Sequence, residues 1–160
     1  MLLTLDKAKT PMKLVYQLSE ELKKNPERIA LTQALTLNTA KPYMGLKGTY
    51  GLFGSQEWWK NIASRKFPLL FISGIIKGTY IAGQDPTPTD NCFSLLLDDG
   101  STREESIYCH LKEDKSLFQV DSRVEIVYAL DEMKQQPAAD GGIHYSNIIL
   151  EMAVSLQPVE

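Results

Sequence analysis

Few residues in this sequence have the type and spacing to do chemistry. Its two histidines, His110 and His144, have no His or Cys partner at metal-ligand spacing. Cys109 and His110 are neighbours, and on a strand they point to opposite faces, so no metal site is expected. Asp98-Asp99 brings two carboxylates together, as a Ca²⁺ or acid–base site would, but Gly100 follows and a hairpin turn explains the run. The Gly-rich residues 41–55 suggest a phosphate cradle. They lack the Gly-x-x-x-x-Gly-Lys-Ser/Thr pattern and no strand precedes them. No Ser or Cys lies near a base in a nucleophile's arrangement. The chain therefore reads as non-enzymatic, with no catalytic residue, metal or cofactor.

The aromatic pair Trp58-Trp59 is the remaining conspicuous feature. Ser55 is a good N-cap for a short helix over Gln56–Ala63, with Glu57 in its first turn. Adjacent helical residues lie about 100° apart, so both rings cannot comfortably face one core. Trp58 and Trp59 are thus candidate protein-interface residues; the competing reading has both clamping the helix to the domain.

These residues must be positioned by surrounding elements, of which the clearest is a β-hairpin within residues 91–111. An apolar run, Asp-Asp-Gly and a second alternating run form a strong hairpin signal. A three-residue turn at Asp99, Gly100 and Ser101 sets Phe93 opposite Ile107 and Leu95 opposite Glu105. It is preferred over a two-residue turn because it groups Phe93, Ile107 and Cys109 on one face. The other face then carries Ser94, Leu96, Ser106, Tyr108 and His110. Cys92 and Cys109 point to opposite faces in this register and should not bridge, which fits a reducing compartment.

Upstream, Pro11 opens a helical pattern with Leu14, Val15, Leu18 and Leu22 on one side. Asn25-Pro26 ends it and caps a second helix carrying Ile29, Leu31, Leu35 and Leu37. Residues 41–55 read as an irregular linker held by Tyr43, Tyr50 and Phe53. From Phe67 the period becomes that of strands. Residues 69–82 form a long strand whose Gly74 and Gly78 signal a bulge or bend. A short helical turn follows the hairpin, within residues 112–122, and residues 123–130 and 145–156 alternate as strands. In the last, Ile148, Leu150, Met152, Val154 and Leu156 are expected inside, and Asn147, Glu151 and Ser155 outside. The organisation read from this is a basic helical extension over residues 1–66, a β-domain over 67–156 and a tail.

The 160 residues carry net charge −3, unevenly spread. Residues 1–66 hold 11 Lys/Arg and 5 Asp/Glu, whereas residues 67–160 hold 6 and 15. Either the halves attract each other or the asymmetry points to partners. No apolar run reaches the roughly 18 residues of a membrane span, and no signal-peptide pattern opens the chain, so a cytoplasmic protein is expected.

Strand, loop, hairpin, short helix, strand, long loop and strand within residues 67–156 resemble the OB-fold, a five-stranded Greek-key barrel. The Gly-interrupted first strand (Ile72-Ser73-Gly74-Ile75-Ile76-Lys77-Gly78) and the Leu-Asp-Asp-Gly-Ser turn carry the likeness. The resemblance implies a mainly β fold, an OB-like barrel preceded by the helical extension. It also implies a binding face on the hairpin, placing Leu96, Tyr108 and His110 there, with Arg103, Lys77 or Lys134 tracking phosphates. The partner so implied is single-stranded nucleic acid. The alternative is a protein-interaction or assembly module, a homodimer included, using the exposed aromatics and the same face.

Overall fold

The β-rich run of residues 69–80 and the alternation of residues 123–130 build sheet, and in a computed structural model of the chain six strands form one. The structure describes residues 1–83, 89–134 and 142–159. The strands are β1 (Met12–Gln17), β2 (Leu69–Tyr80), β3 (Cys92–Leu97), β4 (Thr102–Ser106), β5 (Arg123–Glu132) and β6 (Tyr145–Ser155). The helices are α1 (Leu18–Lys24), α2 (Pro26–Leu37) and α3 (Gln56–Ala63). The sheet is antiparallel and open, in the order β1-β6-β5-β2-β3-β4. A mainly β fold with helices is thus what forms. The expected five-stranded closed barrel is not, and the extra strand comes from the segment read as helical. Met12–Gln17 pairs with β6, Met12 opposite Ser155 and Gln17 opposite Glu151, and the helix begins only at Leu18.

The chain divides into two units. The first comprises residues 1–17, 71–127 and 151–160; the second comprises residues 18–70 and 128–150. In sequence the first holds 8 Lys/Arg and 13 Asp/Glu, net −5, and the second 9 and 7, net +2.

In the first unit, β2 and β3 pair around a bulge between Ile76 and Gly78. Ile76, Phe93 and Leu95 are buried on the inner side. Gly74 is demanded by its neighbour: a Cβ there would lie 2.7 Å from the backbone oxygen of Leu96. Gly74→Ala therefore costs about 1–3 kcal/mol through backbone displacement, read as a lower urea midpoint. The hairpin loop is Asp98-Asp99-Gly100, one residue earlier than expected. Phe93 faces Glu105 and Leu95 faces Arg103. Asp99 draws the turn there by accepting bonds from the Ser101 N–H and hydroxyl. The shift is two residues along the pair, which keeps Phe93 and Leu95 on the inner face and Ser94, Leu96 and Ser106 on the outer one, as expected. Cys92 and Cys109 are both free thiols.

Glu151 and Ser155, expected outside, are buried because backbone partners satisfy them. Glu151 accepts the N–H groups of Leu2 and Leu3 at 2.8–2.9 Å. Ser155 accepts the N–H of Arg123 and donates to the carbonyl of Gln157. Asp114, in the 3-10 turn Lys112–Leu117, is also buried and pairs with Lys13 at 2.6 Å.

In the second unit, Ser55 caps α3 by accepting the N–H of Trp58. The Gly-rich stretch serves as a bed for α2. Gly45 sits at φ +90, and a Cβ there would meet the Leu35 side chain at 2.7 Å. Gln33 donates to the Phe53 carbonyl and the Arg28 guanidinium lies over the Phe53 ring. Tyr50 stacks on Phe67, while Tyr43, expected to hold the stretch, is exposed.

Candidate functional site

The register of β2, β3 and β4 sorts their side chains by physics alone. Ile75 lies opposite Leu96, Gly78 opposite Ser94 and Tyr80 opposite Cys92. Thr102, Glu104 and Ser106 lie opposite Leu96, Ser94 and Cys92. These residues share the outward face, since their neighbours Ile76, Leu95 and Phe93 are the buried ones. Three large side chains stand exposed on this face among polar ones, Tyr80 at 37%, Leu96 at 39% and Phe71, near the other end of β2, at 50%. Phe71, Ser73, Leu97, Asp98 and Asp99 line a hollow of about 270 Å³ at the hairpin end.

Carboxylates rim this patch. The Tyr80 hydroxyl donates to Glu104 at 2.6 Å, and that bond pushes its phenol up to about 12. Glu104→Gln should bring Tyr80 back toward its ordinary value of 10, followed as tyrosinate absorbance against Tyr80→Phe. Asp98 pairs with Arg123 at 2.9 Å. Glu125 accepts from Ser73 and keeps a second oxygen that is buried and unpartnered among the described residues. An aromatic and aliphatic centre inside a polar rim is the anatomy of a protein-binding surface.

The candidate residues read from sequence fare unequally. Leu96 lies on this face. Arg103 points the other way, opposite Leu95, and its charge acts on Glu105, whose own carboxyl is pushed up by burial. Tyr108 and His110 lie past the end of β4 and pack against β1, Tyr108 keeping 40% of its surface exposed. Tyr16 stacks on His110 at 5.1 Å and packs against Tyr108 at 5.3 Å. The His110 N–H donates to the Val15 carbonyl, and its Nε2 accepts the Gln17 N–H at 2.9 Å. Lys77, in the β2 bulge, faces Asp121 at 3.9 Å, a weak exposed pair. Lys134 caps α2, its ammonium donating to the carbonyls of Leu35, Asn38 and Lys41. The expected phosphate-tracking set is therefore not assembled.

Trp58 is corrected as an interface residue. It is fully buried, its indole N–H donating to Asp131 at 3.0 Å, so it offers a partner no surface. Trp59 packs edge-on against it at 4.9 Å and is half-buried. Sequence reasoning missed Phe71 and Tyr80, whose signal was their spacing on β2 relative to the bulge.

The second unit has its own apolar surface. Leu31, Tyr43 and Met44 are exposed, and a groove of about 380 Å³ is lined by Arg28, Leu31, Leu35, Leu46, Phe53 and Ile148, among others. Among the described residues no three His, Cys, Asp or Glu side chains gather as metal ligands, and no helix is long and apolar enough to cross a membrane.

No curated protein matches the chain. A family model described as RhsI2, Immunity protein RhsI2, matches residues 12–155. That match overturns single-stranded nucleic acid as the expected partner and favours the alternative, a protein-interaction module.

Proposed function

This chain belongs to the RhsI2 immunity protein family, and from that premise we propose that it neutralises a toxin by binding it. The observation that carries the reading is the extent of the match: it begins at the first residue of β1 and ends at the last of β6. The matched span takes in the strands β1 to β6 and the helices α1 to α3 alike. The outward face of β2, β3 and β4 is the surface that fits. Its centre of Phe71, Ile75, Tyr80 and Leu96 supplies apolar area to bury, and Asp98, Asp99 and Glu104 supply charge at the rim. The mode of action is occupation of the toxin by contact, with no bond made or broken, inside the cytoplasm of the cell that needs protection.

The test is co-production with the cognate Rhs toxin. Cells making both should grow as cells making neither, and the two chains should co-purify in a fixed ratio. Growth arrest in the presence of well-folded chain, with no complex recovered, would contradict the proposal.

A further inference from the structure

The sheet order ends at β4, which leaves one side of that strand unpaired. The hairpin bonds tell which backbone groups are spare. The Leu97 N–H donates to the Ser101 carbonyl and the Ile107 N–H to the Asn91 carbonyl, each at 2.8 Å. With Leu95 opposite Arg103 and Phe93 opposite Glu105, the odd-numbered residues of β4 spend their backbone groups on β3. Thr102, Glu104 and Ser106 therefore turn their N–H and C=O groups away from the sheet. Among the described residues no backbone partner meets them, and the Glu105 carboxylate meets the Ser106 N–H. His110 continues the same phase, and there β1 does close in, through the bond to Val15. The open edge is thus confined to residues 102–106.

Exposed edges are normally blunted by Pro, a bulge, short length or charged side chains. Thr102-Arg103-Glu104-Glu105-Ser106 is short and charged, but it has no Pro and its pairing with β3 is regular throughout, so its backbone stays open and its charges select what can pair with it. We propose that this edge receives an extended segment of the toxin as an added strand, and that the segment carries Lys or Arg. The inference rests on the reading of the chain as a toxin-binding protein. Charge chooses the occupant. Asp98, Asp99, Glu104 and Glu105 outnumber Arg103 and Arg123 around the edge, so a basic strand is complementary. Antiparallel pairing of two β4 strands about Glu104 would set Glu104 against Glu104 but Arg103 against Glu105 twice, so a second copy of this chain is the competing occupant that the test separates. Alternate side chains of the added strand would lie beside Thr102, Glu104 and Ser106 on the outward face, which suits a polar, basic guest.

The test uses the purified complex with the cognate Rhs toxin. Amide exchange at Thr102, Glu104 and Ser106 should slow markedly on complex formation. Glu104→Pro removes a spare N–H without touching a bond to β3, a position where an edge strand tolerates Pro. It should weaken the complex roughly tenfold or more, with Glu104→Gln, which keeps the N–H, costing much less. A complex in which the three amides exchange as fast as in the free chain overturns strand addition and leaves toxin binding standing. Protection of the same amides without toxin, in a dimer of this chain, overturns the choice of occupant. Failure of the wild-type chain to form any complex overturns both readings. The exchange measurement on wild-type protein decides the matter even where Glu104→Pro fails to fold.

Discussion

Trp58→Ala lowers the unfolding free energy by about 3–5 kcal/mol, the range for deleting a large aromatic from a core. The side chain has no exposed surface and meets Phe53, Phe67 and Trp59 at ring separations of 4.9 to 5.4 Å, each edge-on. Truncation removes those contacts together with the indole donor. Asp131 is then left buried with neither oxygen partnered, since its other oxygen has no hydrogen-bond partner among the described residues. Domains of this size have only about 5–15 kcal/mol to lose, so the variant sits near its unfolding threshold at room temperature. Urea unfolding measures the loss, with Trp59→Ala as the milder comparison.

The same site sets a pH dependence. Burial pushes the Asp131 carboxyl above its ordinary 3.8. The folded chain then keeps a proton that the unfolded chain has released, so stability falls as pH rises from 3.8 through the raised value. Asp131→Asn keeps an oxygen for Trp58 and cannot ionise. It should flatten that part of the stability profile and be at least as stable as the wild type at neutral pH. A wild-type profile that rises through this window would contradict the assignment.

Leu96→Arg is expected to weaken toxin binding by about 30-fold or more while leaving the fold intact. The residue stands 39% exposed in the middle of the outward face, opposite Ile75 on β2 and Thr102 on β4. Its substitution disturbs little of the core, so the unfolding free energy should change by less than about 0.5 kcal/mol. In a complex it is different. A guanidinium placed at the apolar centre must be desolvated, and it opposes the basic surface that the carboxylate rim favours. Losses of about 2 kcal/mol or more are expected at such central positions, on the order of 30-fold in affinity. Calorimetric titration with the cognate toxin reads the change, and unchanged affinity would move the interface off this face.

Local signals were the legible part of this chain. Asp-Asp-Gly marks the hairpin, Ser55 marks the start of α3, and Gly74 and Gly78 mark the close approach and bulge of β2. Each depends on residues a few positions apart. The errors came where distant partners decide. Leu14, Val15, Leu18 and Leu22 fit a helix, yet residues 12–17 are extended because β6, some 140 positions later, pairs with them. That strand in turn takes Tyr108 and His110 out of the binding face through Tyr16, Val15 and Gln17. Lys134 looked like a phosphate ligand and is a helix cap, because α2 ends within its reach. Trp58 looked like a surface anchor until Asp131 supplied the acceptor that lets an indole be buried. The candidate site was therefore half visible: Leu96 was named, while Phe71 and Tyr80 needed the pairing of β2 to reveal them.

A side-chain footprint of the chain, free and bound to its cognate Rhs toxin, by hydroxyl-radical labelling reads out where the toxin sits. Phe71, Tyr80 and Leu96 should lose most of their labelling in the complex, while Leu31, Tyr43 and Met44 keep theirs. Protection of Leu31, Tyr43 and Met44 with Phe71 and Leu96 unchanged would contradict binding on the β2–β4 face, and would place the toxin on the groove beside α2.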